Sequence, residues 1–72
     1  MDKQQFDAAW NEYTHGEPQP IQGFLSVILK HDGYINADKY EYTKNVRDHV
    51  DLYFKGVNIA MISLDQVIDI VD

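Results

Sequence analysis

The spacing of large apolar residues predicts an all-α fold, a single domain over residues 1–72 built as a small bundle of about four helices. Three features carry that expectation. Within Pro20 to Gly33, PIQGFLSVILKHDG, the residues Ile21, Phe24, Leu25, Ile28 and Leu29 follow the i, i+3, i+4, i+7, i+8 series of one helical face. Phe6, Ala9, Trp10 and Tyr13 repeat that spacing near the N-terminus. Pro20 suits a first helical position, and Gly16, Gly33 and Gly56 each stand just past an expected helix end.

The first helix is predicted over residues 2–15, with Asp2 able to cap its start, Gly16 able to close its end, and Asp2, Asp7, Asn11 and Glu12 on the polar face. GEPQP then reads as a short rigid connector, because proline fixes φ. A central helix over Pro20–Gly33 is so apolar that it must be covered on most sides, which makes it the element the others pack around. At HDGYI, Gly33 ends that helix and Tyr34 or Ile35 folds back onto its last turn.

Asn36 suits the cap of a third helix running to about Phe54, with Asp38 in its first turn, Lys55 near its last and Gly56 beyond it. The short turn at Gly33 makes the central and third helices a helix-turn-helix-like central pair. In the tail, Val57 to Ile62 is open between an extended connector and a strand. Ser63 to Gln66 has the S-x-x-Q form of a capping box, and Leu64, Val67, Ile68 and Val71 repeat at helical spacing, which predicts a short last helix.

An alternative architecture has one helix followed by a bent antiparallel sheet, with strands near residues 21–30, 49–54 and 57–71, since HVDLYF is also rich in strand formers. The tail segment ISLDQVIDI resembles the closing strands of Sm-like barrels, and the resemblance implies an N-terminal helix plus a small Sm-like β-barrel. The helical spacing of the central run and the lack of a clean strand after HDG rank this second. FDAAWNEY resembles helices of small bacterial domains of the sterile-alpha-motif-like class, which implies no function here. DGYINADKYE resembles the second half of a calcium-binding helix-loop-helix. With Gly33 in the glycine position the ligand positions fall on Ile28, Lys30 and Lys39, which cannot coordinate a hard dication, so no calcium site is expected.

Twelve acidic against six basic residues give a net charge of −6, which repels phosphate backbones and makes a basic protein surface the better electrostatic match. The bases gather in the middle of the chain, at Lys30, Lys39, Lys44, Arg47 and Lys55, with Lys3 the exception. With no cysteine there is no disulfide framework or thiolate metal site, which fits a reducing compartment. No run approaches the ~20 apolar residues that cross a bilayer, and the N-terminus has no basic region followed by an apolar stretch; a cytoplasmic location is the expectation.

Chemistry-bearing patterns are absent from the sequence. His15, His31 and His49 form no H-x-x-x-H or H-E-x-x-H motif, and on a helix His49 would point away from the side shared by Asp48 and Asp51. Neither Ser26 nor Ser63 lies in a G-x-S-x-G turn, and no glycine-rich phosphate cradle exists. No enzymatic activity, metal or cofactor is therefore expected.

The aromatic content, three Phe, one Trp and five Tyr, exceeds what a core around one short helix requires. Tyr34, Tyr40, Tyr42 and Tyr53 fall in or beside the third predicted helix, and tyrosine suits a surface that is wet when free and buried when bound. Tyr40 and Tyr42, two apart, would lie on different faces of a helix, so one of them faces outward. Interleaved acids complete a candidate partner-binding set of Asp38, Tyr40, Glu41, Tyr42, Asp48, Asp51 and Tyr53, suited to a basic protein partner.

A very small, acidic, cysteine-free, aromatic-rich helical domain resembles the small regulatory proteins of bacteriophages and is similar in size and character to antirepressors of the modulator-of-repression type. The resemblance implies a non-enzymatic regulatory binding protein that occludes the DNA-binding surface of a basic helix-turn-helix repressor. In that reading Tyr40, Tyr42 and Tyr53 are anchors, and Asp38, Glu41, Asp48 and Asp51 are charge complements. The alternative is a small helix-turn-helix DNA-binding or accessory transcription regulator, acting through the segment that carries Lys39, Lys44 and Arg47.

Overall fold

Burial alternates residue by residue, the signature of strands, along Leu25–Leu29 and from His49 to Leu52, two stretches where the spacing predicts helix. The computed structural model describes residues 1–17, 20, 23–31 and 33–72. Among these, one helix, α1 (Lys3–Thr14), precedes six strands: β1 (Leu25–Leu29), β2 (Tyr34–Ala37), β3 (Lys39–Tyr42), β4 (His49–Phe54), β5 (Val57–Ser63) and β6 (Val67–Val71). The strands form two antiparallel sheets of three, ordered β2-β1-β6 and β3-β4-β5.

The N-terminal helix forms as its sequence predicts. The Asp2 side chain accepts from the Gln5 N–H at 2.7 Å while the Gln5 side chain accepts from the Asp2 N–H at 2.9 Å, a reciprocal capping box. The chain leaves the helix through two left-handed residues, His15 at φ 53° and Gly16 at φ 84°. Phe6 and Trp10, one turn apart, are buried. Full burial of a side chain such as Phe6 stabilises by about 1.5–3 kcal/mol.

Beyond that helix the all-α expectation is overturned. The central run is a strand: Leu25, Val27 and Leu29 point into the core while Ser26 and Ile28 are half-buried on the other face. Because both faces of β1 carry apolar residues, the set Phe24, Leu25, Ile28, Leu29 mimics helical spacing, although Val27 and Ile28 are β-branched and prefer the pleated backbone. The GEPQP connector and the start of the expected central helix include Pro18, Gln19, Ile21 and Gln22, which lie outside the described residues, as does Asp32 of the HDG turn.

Gly33, at φ 79°, terminates no helix. Its carbonyl accepts from the Leu29 N–H at 2.8 Å and closes the β1–β2 hairpin, whose register pairs Val27 with Ile35. The expected third helix is three strands, β2, β3 and β4, and no helix-turn-helix pair exists among the described residues. Asn36 caps nothing; its Oδ1 accepts from the Ser26 hydroxyl across the hairpin at 2.7 Å. Lys55 and Gly56, with φ of 51° and 82°, form the two-residue turn between β4 and β5. At the tail Ser63 does cap, accepting from the Asp65 N–H at 3.3 Å, but the helix it starts is a single 3-10 turn, Leu64–Gln66, that hands over to β6. Of the strands the alternative architecture expects, the one at 49–54 is β4 over its whole length, 21–30 is a strand only over β1, and 57–71 is two strands, β5 and β6, parted by the 3-10 turn; β2 and β3 add two more.

One core lies between the sheets and under the helix. Leu25, Val27, Leu29, Ala37, Val67 and Ile70 come from the first sheet, Val50 and Leu52 from the second, Phe6 and Trp10 from α1, and Leu64 from the 3-10 turn. The chain passes from sheet to sheet at Asp38, between β2 and β3. Its N–H donates to the Tyr53 carbonyl at 2.9 Å, and its carboxylate accepts from the Lys55 N–H at 2.9 Å. That pins the corner to the β4–β5 turn and leaves the far faces of β3, β4 and β5 to solvent.

Candidate functional site

Strand geometry sorts the predicted partner-binding residues into groups that helical geometry would have mixed. On β3, Tyr40 and Tyr42 share one side and Lys39 and Glu41 the other, since side chains two apart on a strand point the same way. The two tyrosines face inward. Tyr40 packs edge-on against Phe6 and Trp10 at centroid separations of 4.8 and 4.9 Å, and both hydroxyls donate to the Asp7 carboxylate of α1. Partial burial, then the hydrogen bond to Asp7 and its negative charge, push both phenols well above the usual tyrosine range. The expectation that one of them serves as an outward anchor is overturned, because the element is a strand. They are the seam that holds α1 to the second sheet.

Asp38 is likewise structural, buried at the corner described above. Asp48 lies in the connection between β3 and β4 with φ 55°, and its carbonyl accepts from the Leu64 N–H at 2.8 Å. Lys44 and Arg47 are exposed in that same connection beside Asp48, where opposite charges offset one another.

Glu41, Asp51 and Tyr53 remain, and the structure brings these three together on the outer face of the β3-β4-β5 sheet. Glu41 is the direct cross-strand partner of Asp51, and Lys39 that of Tyr53. The Lys39 ammonium sits 5.3 Å from the Tyr53 ring centroid and 3.4 Å from Glu41. The Tyr53 hydroxyl donates to Glu41 at 3.4 Å, and the Thr43 hydroxyl donates to Asp51 at 2.8 Å. Partial burial and then the charges of Glu41 and Asp51 raise the Tyr53 phenol above its ordinary value.

Sequence reasoning missed the apolar half of this face. Met61 lies across from Asp51 on β5 and is 56% exposed; Ile59, the extra residue of a bulge between the Leu52 and Tyr53 registers, is 43% exposed. The signal was present in the sequence: two strand-forming runs, HVDLYF and VNIAMIS, separated by Lys55-Gly56, a two-residue hairpin turn. The outer face therefore combines two carboxylates, an aromatic ring held by a lysine, and uncovered aliphatic side chains. It offers negative charge and apolar area, with no nucleophile paired to a base. Among the described residues, no group of three or more His, Asp or Glu is placed to hold a metal ion, and no helix is long and apolar enough to cross a membrane.

No protein-family model matches the chain, and comparison with curated proteins and with solved structures finds no match either.

Proposed function

We propose that this chain is a non-enzymatic binding domain that engages a basic protein surface through the outer face of its second sheet. The observation that carries this reading is the pairing of Glu41 with Asp51. Like charges directly opposite on one sheet face disfavour the fold. Their repulsion is relieved when a cationic surface covers them, and Tyr53, Met61 and Ile59 alongside supply the apolar area that excludes water from such a contact.

Within that class, the partner the charge pattern favours is a basic DNA-binding repressor, which the protein would hold off its operator by covering the recognition surface. A net charge of −6 steers toward such a surface and away from the operator itself. Size and acidity support this antirepressor reading; helical character, which the structure replaces with sheet, no longer does. A cysteine-free chain fits a partner in the cytoplasm.

A mobility-shift competition tests the proposal, with a helix-turn-helix repressor encoded beside this chain bound to its operator and the purified protein titrated in. Release of free operator by the wild type, lost in a Glu41→Lys, Asp51→Lys variant that keeps its circular dichroism spectrum, is the expected result. Operator that stays bound at large excess, or release that the charge-reversed variant still produces, overturns it.

A further inference from the structure

The outer face of the β3-β4-β5 sheet already holds a cation, and that cation belongs to the chain itself. Lys39 and Tyr53 are direct partners across the β3–β4 ladder, and the Lys39 ammonium stands 5.3 Å from the centroid of the Tyr53 ring. One oxygen of Glu41 lies 3.4 Å from that ammonium, while its other oxygen accepts from the Tyr53 hydroxyl at 3.4 Å. Asp51, the cross-strand partner of Glu41, brings a second carboxylate, whose Oδ1 accepts from the Thr43 hydroxyl at 2.8 Å. A half-buried ring and two carboxylates thus form an open cradle for positive charge, with one lysine lodged in it.

That lysine leaves the cradle half satisfied. Its ion pair is with Glu41 and not with Asp51, so the like charges of the two carboxylates still face each other across the ladder. Its side chain and that of Glu41 are 54% and 55% exposed, and water competes for a contact of this kind. We propose that Lys39 is an internal stand-in for an arginine of the basic partner, whose guanidinium displaces it from the Tyr53 ring and spans Glu41 and Asp51. This rests on the reading that the face binds a basic protein, and it adds which side chain is recognised and which residue competes for the place.

The chemistry of the cradle selects arginine over lysine. A guanidinium is planar, stacks on an aromatic face, and carries five N–H donors in a fork that serves two carboxylates at once. An ammonium is a compact, strongly hydrated charge that gains less from an exposed ring. Side chains directly opposite on an antiparallel pair start from β-carbons about 4.5–5.5 Å apart, close enough for one fork to reach both acids. Displacement costs little, because the Lys39 ammonium swings into water on its flexible stem.

Titration of the isotope-labelled full chain with Nα-acetylarginine methylamide or Nα-acetyllysine methylamide, at constant ionic strength, tests the proposal through the NMR shifts of the Glu41, Asp51 and Tyr53 amides. Lys39→Thr, which puts a strand former at an exposed position, should bind the arginine probe roughly 5-fold more tightly than wild type. Lys30→Thr removes the same charge from an exposed residue at the end of β1, in the other sheet, and should stay within about 2-fold of wild type. Adding Tyr53→Leu to Lys39→Thr should abolish the gain, and the lysine probe should bind Lys39→Thr roughly 3-fold more weakly than the arginine probe does. Equal affinity of wild type and Lys39→Thr, an equal gain in Lys30→Thr, a gain that survives Tyr53→Leu, a lysine probe as tight as arginine, or no shift at these amides in any variant would each overturn the proposal. The repressor competition decides the wider reading separately: operator release that charge reversal abolishes, found together with any of those results, keeps the face and discards the cradle.

Discussion

Tyr40 and Tyr42 donate their hydroxyls to the same oxygen, Oδ1 of Asp7, at 2.5 and 2.6 Å. The Tyr42 hydroxyl has the Lys3 carbonyl, 2.8 Å away, as its other acceptor. The arrangement depends on strand periodicity, which aims residues 40 and 42 at one helix face, and on helix periodicity, which places Asp7 one position beyond Phe6 at the rim of the packed aromatic cluster. A single carboxylate thereby ties α1 to the second sheet. Asp7→Ala leaves the Tyr40 hydroxyl without its acceptor and the Tyr42 hydroxyl with the Lys3 carbonyl alone, and should lower unfolding stability by about 1–3 kcal/mol in urea titration; Asp7→Asn, which keeps an acceptor but not the charge, should cost less. Equal stability of Asp7→Ala and wild type would show the seam to be incidental.

The same seam makes stability fall in alkali. Tyr40 and Tyr42 titrate well above the ordinary phenol value in the folded protein, through partial burial and the Asp7 carboxylate, while in the unfolded chain they titrate near about 10. Above that pH the unfolded state loses protons that the folded state keeps, so folding stability is full below about pH 10 and declines as pH rises beyond it. Thermal melts of wild type should show this decline, and Tyr40→Phe, Tyr42→Phe protein should show a shallower one. Identical alkaline slopes would remove the two phenols as its cause.

The first helix was legible because its signals are local: Asp2 able to cap its start, one apolar stripe and Gly16 to close its end. The sheets were not, for a physical reason that differs by element. β1 is apolar on both faces, so its alternation is invisible in the sequence, and the helical series that it mimics takes over. Glycine is ambiguous as punctuation: Gly33 and Gly56 meet the positive-φ need of hairpin turns as well as they would that of helix ends. Of the predicted partner-binding residues, Glu41, Asp51 and Tyr53 share a face because strand period keeps alternate residues together, whereas a helical period that the chain does not have splits Tyr40 and Tyr42 between two faces and turns one of them outward. Met61 and Ile59 could join that face only once β5 was placed beside β4.

The Lys55-Gly56 turn offers a direct check on the β4–β5 register. Both residues have positive φ, as a type I′ turn requires, and lysine is a poor occupant of that region. No atom lies within 4 Å of where a Cβ on Gly56 would stand, so Gly56→Ala meets backbone strain without a clash and should destabilise by about 1–2 kcal/mol. Lys55→Asn should stabilise, by up to about 1 kcal/mol, since asparagine tolerates the left-handed region. Denaturant midpoints of the two variants should therefore move in opposite directions. Movement in the same direction would place the turn elsewhere.

Glu41 separates what the fold needs from what a partner needs. It faces Asp51 across the β3–β4 ladder, an unfavourable neighbour, and its ion pair with Lys39 at 3.4 Å joins two side chains each more than half exposed, a contact worth about 0–1 kcal/mol. Glu41→Gln removes a small attraction and a small repulsion together, so unfolding stability should stay within about 0.5 kcal/mol of wild type. Affinity for a basic partner should nevertheless drop, most at low ionic strength, because the lost charge lies where a cationic surface would sit and salt already screens the remainder. Asp51→Asn should act in the same direction on binding but cost some stability, since it weakens the 2.8 Å bond from the Thr43 hydroxyl. Titration calorimetry against the basic partner, at two salt concentrations and beside urea unfolding, resolves the two effects. A Glu41→Gln protein that loses more than about 1 kcal/mol of stability while its binding is untouched would mean that this carboxylate serves the sheet and not a partner.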